Sequence, residues 1–237
     1  MAKRPRRLFT KLSLLLTVAI AVFFAFWFGL VPHSLMPFPT ISLDERPSLF
    51  VDARLSALRF DRALCRQVLK EPHISASPIP DRPLKDGCGW ENAVRFSRVG
   101  GAEIGINPLT CETAAAFALW VTHEVQPLAR NMFGQEVKRI GGMGTYSCRN
   151  IVGNRLWKNL RSQHATANAI DVSSFTLADG HSISLVKGWN AKGKDSAFLR
   201  ELHARSCRYF RVSLGPEANR AHRDHFHFDR GLMWTCR

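Results

Sequence analysis

The longest apolar run in the chain is Leu12–Val31, LSLLLTVAIAVFFAFWFGLV, twenty residues without a charge. At a rise of about 1.5 Å per residue a helix of that length covers about 30 Å, the thickness of a bilayer's hydrocarbon, so the run predicts one transmembrane helix. The pattern then breaks. Residues 32–48, PHSLMPFPTISLDERPS, hold four prolines and no sustained periodicity, which predicts an extended linker holding a domain off the bilayer. Residues 49–237 show short periodic segments and read as one folded domain.

Between Asp52 and Lys70 the apolar positions Leu55, Leu58, Leu64, Cys65 and Val68 recur at helical spacing and predict an amphipathic helix. Strand-like pieces follow at Ala93–Val99 and Glu103–Ile106. Thr110 precedes CETAAAFALWVTHEVQPLA, which predicts a strong helix packed on a sheet, with Glu112 favouring its N-terminal dipole and Pro127 ending or kinking it. Further strands are expected around Glu136–Ile140, Ala169–Phe175, Ile183–Val186 and His225–Asp229, with a helix near Ser196–Tyr209. This order predicts an α+β fold, a mostly antiparallel sheet flanked by helices, behind the N-terminal membrane helix.

Hydrophobic residues at 46% and charged ones at 22% match ordinary folded domains and exclude wholesale disorder or a polytopic membrane protein. The net charge of +14 changes the picture more. Lys3, Arg4, Arg6, Arg7 and Lys11 all precede the first acid, Asp44, so residues 1–11 form a basic arm that the positive-inside rule keeps in the cytoplasm. The rest then lies across the membrane: a single-pass protein of a bacterial inner membrane with its C-terminal domain in the periplasm. An uncleaved anchor is favoured over a signal peptide, because the run exceeds a usual signal core and VPHSLMPFP offers no clear small-x-small site. All six cysteines, Cys65, Cys88, Cys111, Cys148, Cys207 and Cys236, fall beyond the run, and none forms a CxxC, so disulfides are expected, with fifteen pairings open. A nucleic-acid partner is not expected, since only the short arm faces the cytoplasm.

The densest chemistry is HRDHFHFDR, His222–Arg230. On a strand, His225 and His227 share one face while Phe226 and Phe228 point into the core. Imidazole is both a metal ligand and a general base near neutral pH. Alone, this is as readily a solvated edge strand. A second segment, SQHATANAIDVSSF, places His164 seven residues before Asp171 with short side chains between. A His and a carboxylate here, with one His from the later strand, make three ligands for a tetrahedral zinc and leave the fourth position to water. Such a site suits hydrolysis of an amide bond. His33, His73, His123, His181 and His203 have no partner at ligand spacing and read as structural or exposed; Gly141, Gly142 and Gly144 lack the GK[ST] of a phosphate loop.

Ser162, His164, Ala169 and Asp171 resemble the S-x-H-x-x-G-x-A-x-D signature of the zinc peptidases grouped around lysostaphin, the D-alanyl-D-alanine peptidases and the hedgehog domain, and His225 with His227 resembles their closing H-x-H. His222 is similar to the pattern of penicillin-insensitive murein endopeptidases. More broadly TYSCRN, SQHATANAID, LGPEAN and HRDHFHFD resemble the bacterial extensin-like C-terminal family over most of residues 60–237. The resemblance implies one zinc ion on His164, Asp171 and His227, His225 as general base or transition-state stabiliser, and His222 as an auxiliary hydrogen-bonding group. Arg149 would receive a substrate carboxylate or carbonyl, or else serve an exposed salt bridge; Tyr146 would line the cleft, or else be a half-buried core tyrosine. Ala167 departs from the signature's glycine and is strained if that position needs positive φ.

Two functions follow. One is a membrane-anchored periplasmic zinc hydrolase of amide bonds in peptidoglycan peptides, of endopeptidase or carboxypeptidase type, whose basic surface suits an anionic wall polymer. The alternative is a non-enzymatic wall-binding or scaffolding domain that keeps a metal for stability. A His2Asp set also accepts divalent ions other than zinc.

Overall fold

The computed structural model describes residues 4–46, 49–70 and 72–237. Helix α1, Arg4–Trp27, joins most of the basic arm to the apolar run, and its stretch Leu8–Trp27 is long and apolar enough to cross a membrane. Lys3 of the arm lies outside the described residues, as do Pro47 and Ser48 of the Pro-rich stretch.

Part of that stretch packs on the domain instead of running free of it. Its Ile41 and Leu43 are buried in the core. Polar contacts fasten the remainder: Arg54 Nη2 donates to the Thr40 carbonyl at 2.8 Å, and His33 Nδ1 lies 2.7 Å from the Asp61 carboxylate.

The helix expected over Asp52–Lys70 is two helices, α2 (Val51–Ser56) and α3 (Arg62–Val68). Asp61 restarts the chain as an N-cap, its carboxylate accepting the Leu64 N–H at 2.8 Å. Strands β1 (Ile74–Pro78), β2 (Arg82–Lys85), β3 (Cys88–Trp90), β4 (Ala93–Val99) and β5 (Ala102–Thr110) follow. Next come α4 (Cys111–Trp120), a π turn (Val121–Val125), α5 (Gln126–Phe133) and β6 (Val137–Gly144). After a long loop the chain forms β7 (Ala169–Leu177), β8 (Ser182–Ser184), α6 (Leu185–Gly188), α7 (Lys194–Ser206) and β9 (Val212–Leu214). Strands β10 (Phe226–Asp229) and β11 (Thr235–Cys236) close it.

The chain is α+β. The main sheet runs β1-β4-β5-β6-β7-β10-β9-β11, with β8 beside the second half of β7. Its pairings are antiparallel except β5 with β6 and β9 with β11. Strand β8 is shorter than the expected Ile183–Val186, because Leu185 turns into α6 and buries there.

Helix α4 is buried on all sides, as an element apolar all round must be. Its Trp120 meets Phe228 at 5.0 Å and Phe175 at 6.1 Å, so the helix packs on the middle of the sheet. Pro127 neither ends nor sharply breaks the helical run. The preceding π turn absorbs it, and the His123 carbonyl, which an ordinary helix would pair with the N–H that proline lacks, accepts Arg46 Nη2 at 2.6 Å.

The open pairings resolve to Cys65–Cys111, Cys88–Cys148 and Cys207–Cys236. A largely buried ion network ties α2 and α4 to the chain beside β9 and β10. Glu112 Oε1 accepts Arg230 Nε at 2.7 Å and its Oε2 accepts Arg59 Nε at 2.7 Å, while Asp52 takes Arg230 and Arg211 at 2.9 and 2.8 Å. Glu112 thus faces the positive end of α4 and two guanidinium groups together.

Candidate metal centre

The first half of the centre is a turn. Ser162 caps it, its hydroxyl accepting the His164 N–H at 3.3 Å, and Gln163–Thr166 make a single 3-10 turn. Ala167 then reverses the chain at φ 53°, ψ 27°. The strain expected of alanine at positive φ is present, and two bonds hold it: the Ala167 N–H to the His164 carbonyl at 3.2 Å, and the Thr110 N–H to the Ala167 carbonyl at 2.8 Å. The reversal feeds β7, where Ile170 and Val172 bury toward α4 and Asp171, between them, faces the other side.

The second half is β10, which pairs antiparallel with β7 so that His227 stands directly opposite Asp171. Phe226 and Phe228 are fully buried beneath, as alternation requires. His164 Nε2 lies 3.2 Å from Asp171 Oδ1 and 3.1 Å from His227 Nδ1, and His227 Nδ1 lies 3.0 Å from the same Asp171 oxygen. All three residues are buried.

The protons decide what this cluster can do. His164 Nδ1 lies 3.2 Å from the Thr145 carbonyl, which can only accept, so that nitrogen carries the hydrogen. His227 Nε2 reaches Asp229 Oδ2 at 3.0 Å in the same way. Each ring therefore anchors one N–H on the outside; when the inner nitrogen of His227 gives up its proton, two imidazole lone pairs and a carboxylate oxygen face one point. Ligands about 2.0–2.1 Å from a tetrahedral centre sit roughly 3.3 Å from one another, so the spacing fits a zinc-sized cation.

Charge in the cluster is strongly coupled. Burial works against it, but the imidazoles of His164 and His227 hold the Asp171 carboxyl well below the ordinary range. Burial likewise opposes protonation of His227, yet Asp171 and Asp229 outweigh it and raise that imidazole to about 9. His222 moves the other way, to about 4, through burial and the nearby charges of His227 and His225.

A family model described as extensin-like protein C-terminus matches residues 63–237, which include both halves of this centre and all three disulfides. The chain belongs to the extensin-like C-terminal family. No curated protein and no solved structure matches it. Helix α1, the Pro-rich stretch and α2 precede the extensin-like domain proper, although Asp52 and Arg59 enter its ion network.

Within the extensin-like domain His225 stands beside the triad. Its Nδ1 lies 2.8 Å from Asp224 Oδ1 and its Nε2 lies 3.7 Å from Asp171 Oδ1. His222 is anchored by Asn219 at 2.9 Å, with its ring 5.3 and 5.4 Å from those of His225 and His227. Arg149 is half-buried, and its charge is one of those depressing His222, which puts it on the same flank. Tyr146 follows Thr145 but meets Trp90 edge to face at 5.0 Å, with the Arg82 guanidinium 5.3 Å from its ring. Its hydroxyl is buried without a partner among the described residues. Sequence reasoning missed Asp229, Asp224 and the Thr145 carbonyl. The first two were open to it, since Asp229 sits two residues beyond His227 on the same strand face and Asp224 adjoins His225.

Proposed function

We propose that this extensin-like protein is a membrane-anchored periplasmic hydrolase that uses zinc to cut amide bonds in peptidoglycan peptides. One observation carries the reading: two imidazole nitrogens and a carboxylate oxygen converge on one point, while the other nitrogen of each ring is anchored on the outside by an acceptor. The likeness of these motifs to those of zinc peptidases, the disulfides and the apolar α1 support it. Zinc held by His164, Asp171 and His227 would supply a Lewis acid and an activated water. His225 is built as a base: Asp224 takes the Nδ1 proton, leaving the Nε2 lone pair at the edge of the cluster to accept one. His222, kept neutral by its low pKa, is suited to hydrogen-bond without adding charge. Arg149 would hold a substrate carboxylate or carbonyl by charge-assisted hydrogen bonds, and Tyr146 would shape the near wall of the cleft.

The burial of all three ligands favours a second reading, a metal-stabilised wall-binding domain. The experiment is to load the full chain with zinc, incubate it with purified muropeptides and read the products by mass spectrometry. Cleavage that disappears in His225→Ala while bound zinc stays constant is expected. Wall binding by the zinc-loaded wild type, with no cleavage, would establish the second reading instead.

A further inference from the structure

The end of α1 is fastened to the domain, not hung from it. Arg211 Nη2 donates to the Trp27 carbonyl at 2.8 Å, and its guanidinium lies 4.3 Å from the centre of the Trp27 ring. Arg211 is itself fully buried and locked by Asp52. Arg59 reaches the Phe28 carbonyl. Gly29, at φ 71°, passes so close to α2 that a Cβ would collide with the Ser56 carbonyl. The joint therefore has little freedom to swing.

The surface around this joint is apolar. Trp234 packs on Trp27 at 5.2 Å; Phe50 stacks on Phe38 at 4.9 Å, and Phe38 lies 6.1 Å from Phe26. Yet Leu49, Phe50 and Trp234 remain 67%, 62% and 54% exposed, and Met233 42%. A patch of this kind on a folded domain marks a contact surface. We infer that it is a foot that rests in the headgroup layer of the bilayer, seating the domain directly on the membrane. The inference rests on the reading of α1 as a span. The twenty residues Leu8–Trp27 cover about 30 Å, so Trp27 lies at the outer boundary of the hydrocarbon, and any ring touching it lies at that level too. Tryptophan is the side chain that this boundary favours. A protein partner covering the same patch would have to enter the headgroup layer around α1.

Seating has a consequence for the metal cluster. Ala169, the first residue of β7, pairs with Asp229, and the next residue, Arg230, shares Asp52 with Arg211. The start of β7 is thus the end nearest the joint. Asp171 lies about 7 Å along the strand from there, whereas Leu177 lies about 26 Å away. A 220 Å³ pocket lined by the exposed Phe60 and Leu232 also takes in Gln163, the neighbour of His164. The substrate class this arrangement admits is a peptide lying close to the outer face of the membrane rather than deep in the wall.

The test uses the full chain in liposomes of phosphatidylethanolamine and phosphatidylglycerol, with an environment-sensitive fluorophore on one introduced cysteine: Ile20→Cys in α1, Met233→Cys or Leu49→Cys in the foot, or Asp179→Cys in the β7–β8 turn. Lipids carrying a doxyl quencher are expected to quench positions 20, 233 and 49 several-fold more than position 179. Quenching at 20 with positions 233 and 49 behaving like 179 would overturn the seated domain while leaving the span intact. No quenching at 20 would overturn the span itself. A shielded but unquenched fluorophore at 233 and 49 would show that protein, such as a second copy, covers the patch, and would also overturn the proposal.

Discussion

His227 meets a carboxylate through each ring nitrogen, Asp171 at Nδ1 and Asp229 at Nε2. The outer carboxylate fixes which nitrogen keeps its proton when the ring is neutral and so leaves the lone pair of that form facing His164 and Asp171. Removing that instruction should matter more to metal than to folding. Asp229→Asn is expected to weaken zinc binding by about 10–100-fold while leaving secondary structure intact, as seen by competition with a chelating dye and by circular dichroism. Unchanged affinity would mean that His227 is oriented by packing alone. That His225 and His227 share a face was legible because strand alternation assigns faces without reference to the remainder of the chain, and His164 with Asp171 was legible from their spacing; which later histidine joins them came only with the family resemblance. The Thr145 carbonyl was not, since any residue type can offer one and only the folded loop brings it to His164.

Among elements, the reversal at Ala167 joins the turn that carries His164 to β7, which carries Asp171. An alanine there costs about 1 kcal/mol in backbone strain, against about 0.8 kcal/mol gained by burying its methyl group. Ala167→Gly is therefore expected to leave stability within about 1 kcal/mol of the wild type. Ala167→Val adds a β-branched side chain at positive φ in a site without free volume, and is expected to lose about 2 kcal/mol or more together with metal binding. Urea denaturation beside metal content reads both. Equal stability for the valine variant would show that the turn tolerates bulk and does not set the geometry. Strand β4 and helix α4 could be read directly from the chain because their patterns are local. The break between α2 and α3 could not: Arg59 turns away to Glu112, and Asp61 caps rather than continues, both decided by neighbours remote in sequence. The same holds for Ile41 and Leu43, two apolar residues in an aperiodic stretch whose burial depends on a surface the rest of the domain builds.

On the scale of the molecule, the ion network links the end of the apolar helix α1, α2, α4 and the end of β10. Arg211 and Arg230 look like ordinary surface cations in the sequence and are almost fully buried in the fold. Burial opposes ionisation of Glu112, but Arg230 and Arg59 hold its carboxyl below the ordinary 4.5; Asp52 is likewise held below 3.8 against burial by Arg211 and Arg230. The unfolded chain would take up these protons first as pH falls. The stability the network contributes is therefore intact above about pH 4.5 and is lost as pH falls further, through the lowered folded-state values. Thermal melts between pH 7 and 3 are expected to show that decline. Glu112→Gln, which leaves buried guanidinium groups without their partner, is expected to cost about 3–5 kcal/mol at neutral pH and to flatten the acid limb. A variant as stable as wild type would show that water reaches the network.

The convergence of His164, Asp171 and His227 on one cation is measured most directly by X-ray anomalous scattering at the zinc edge from crystals of the full chain, paired with zinc content in solution. The account predicts one zinc per chain, bound by those three side chains, and none in His164→Ala. A chain that binds no zinc, or binds it elsewhere while these groups remain hydrogen-bonded to one another, would contradict it.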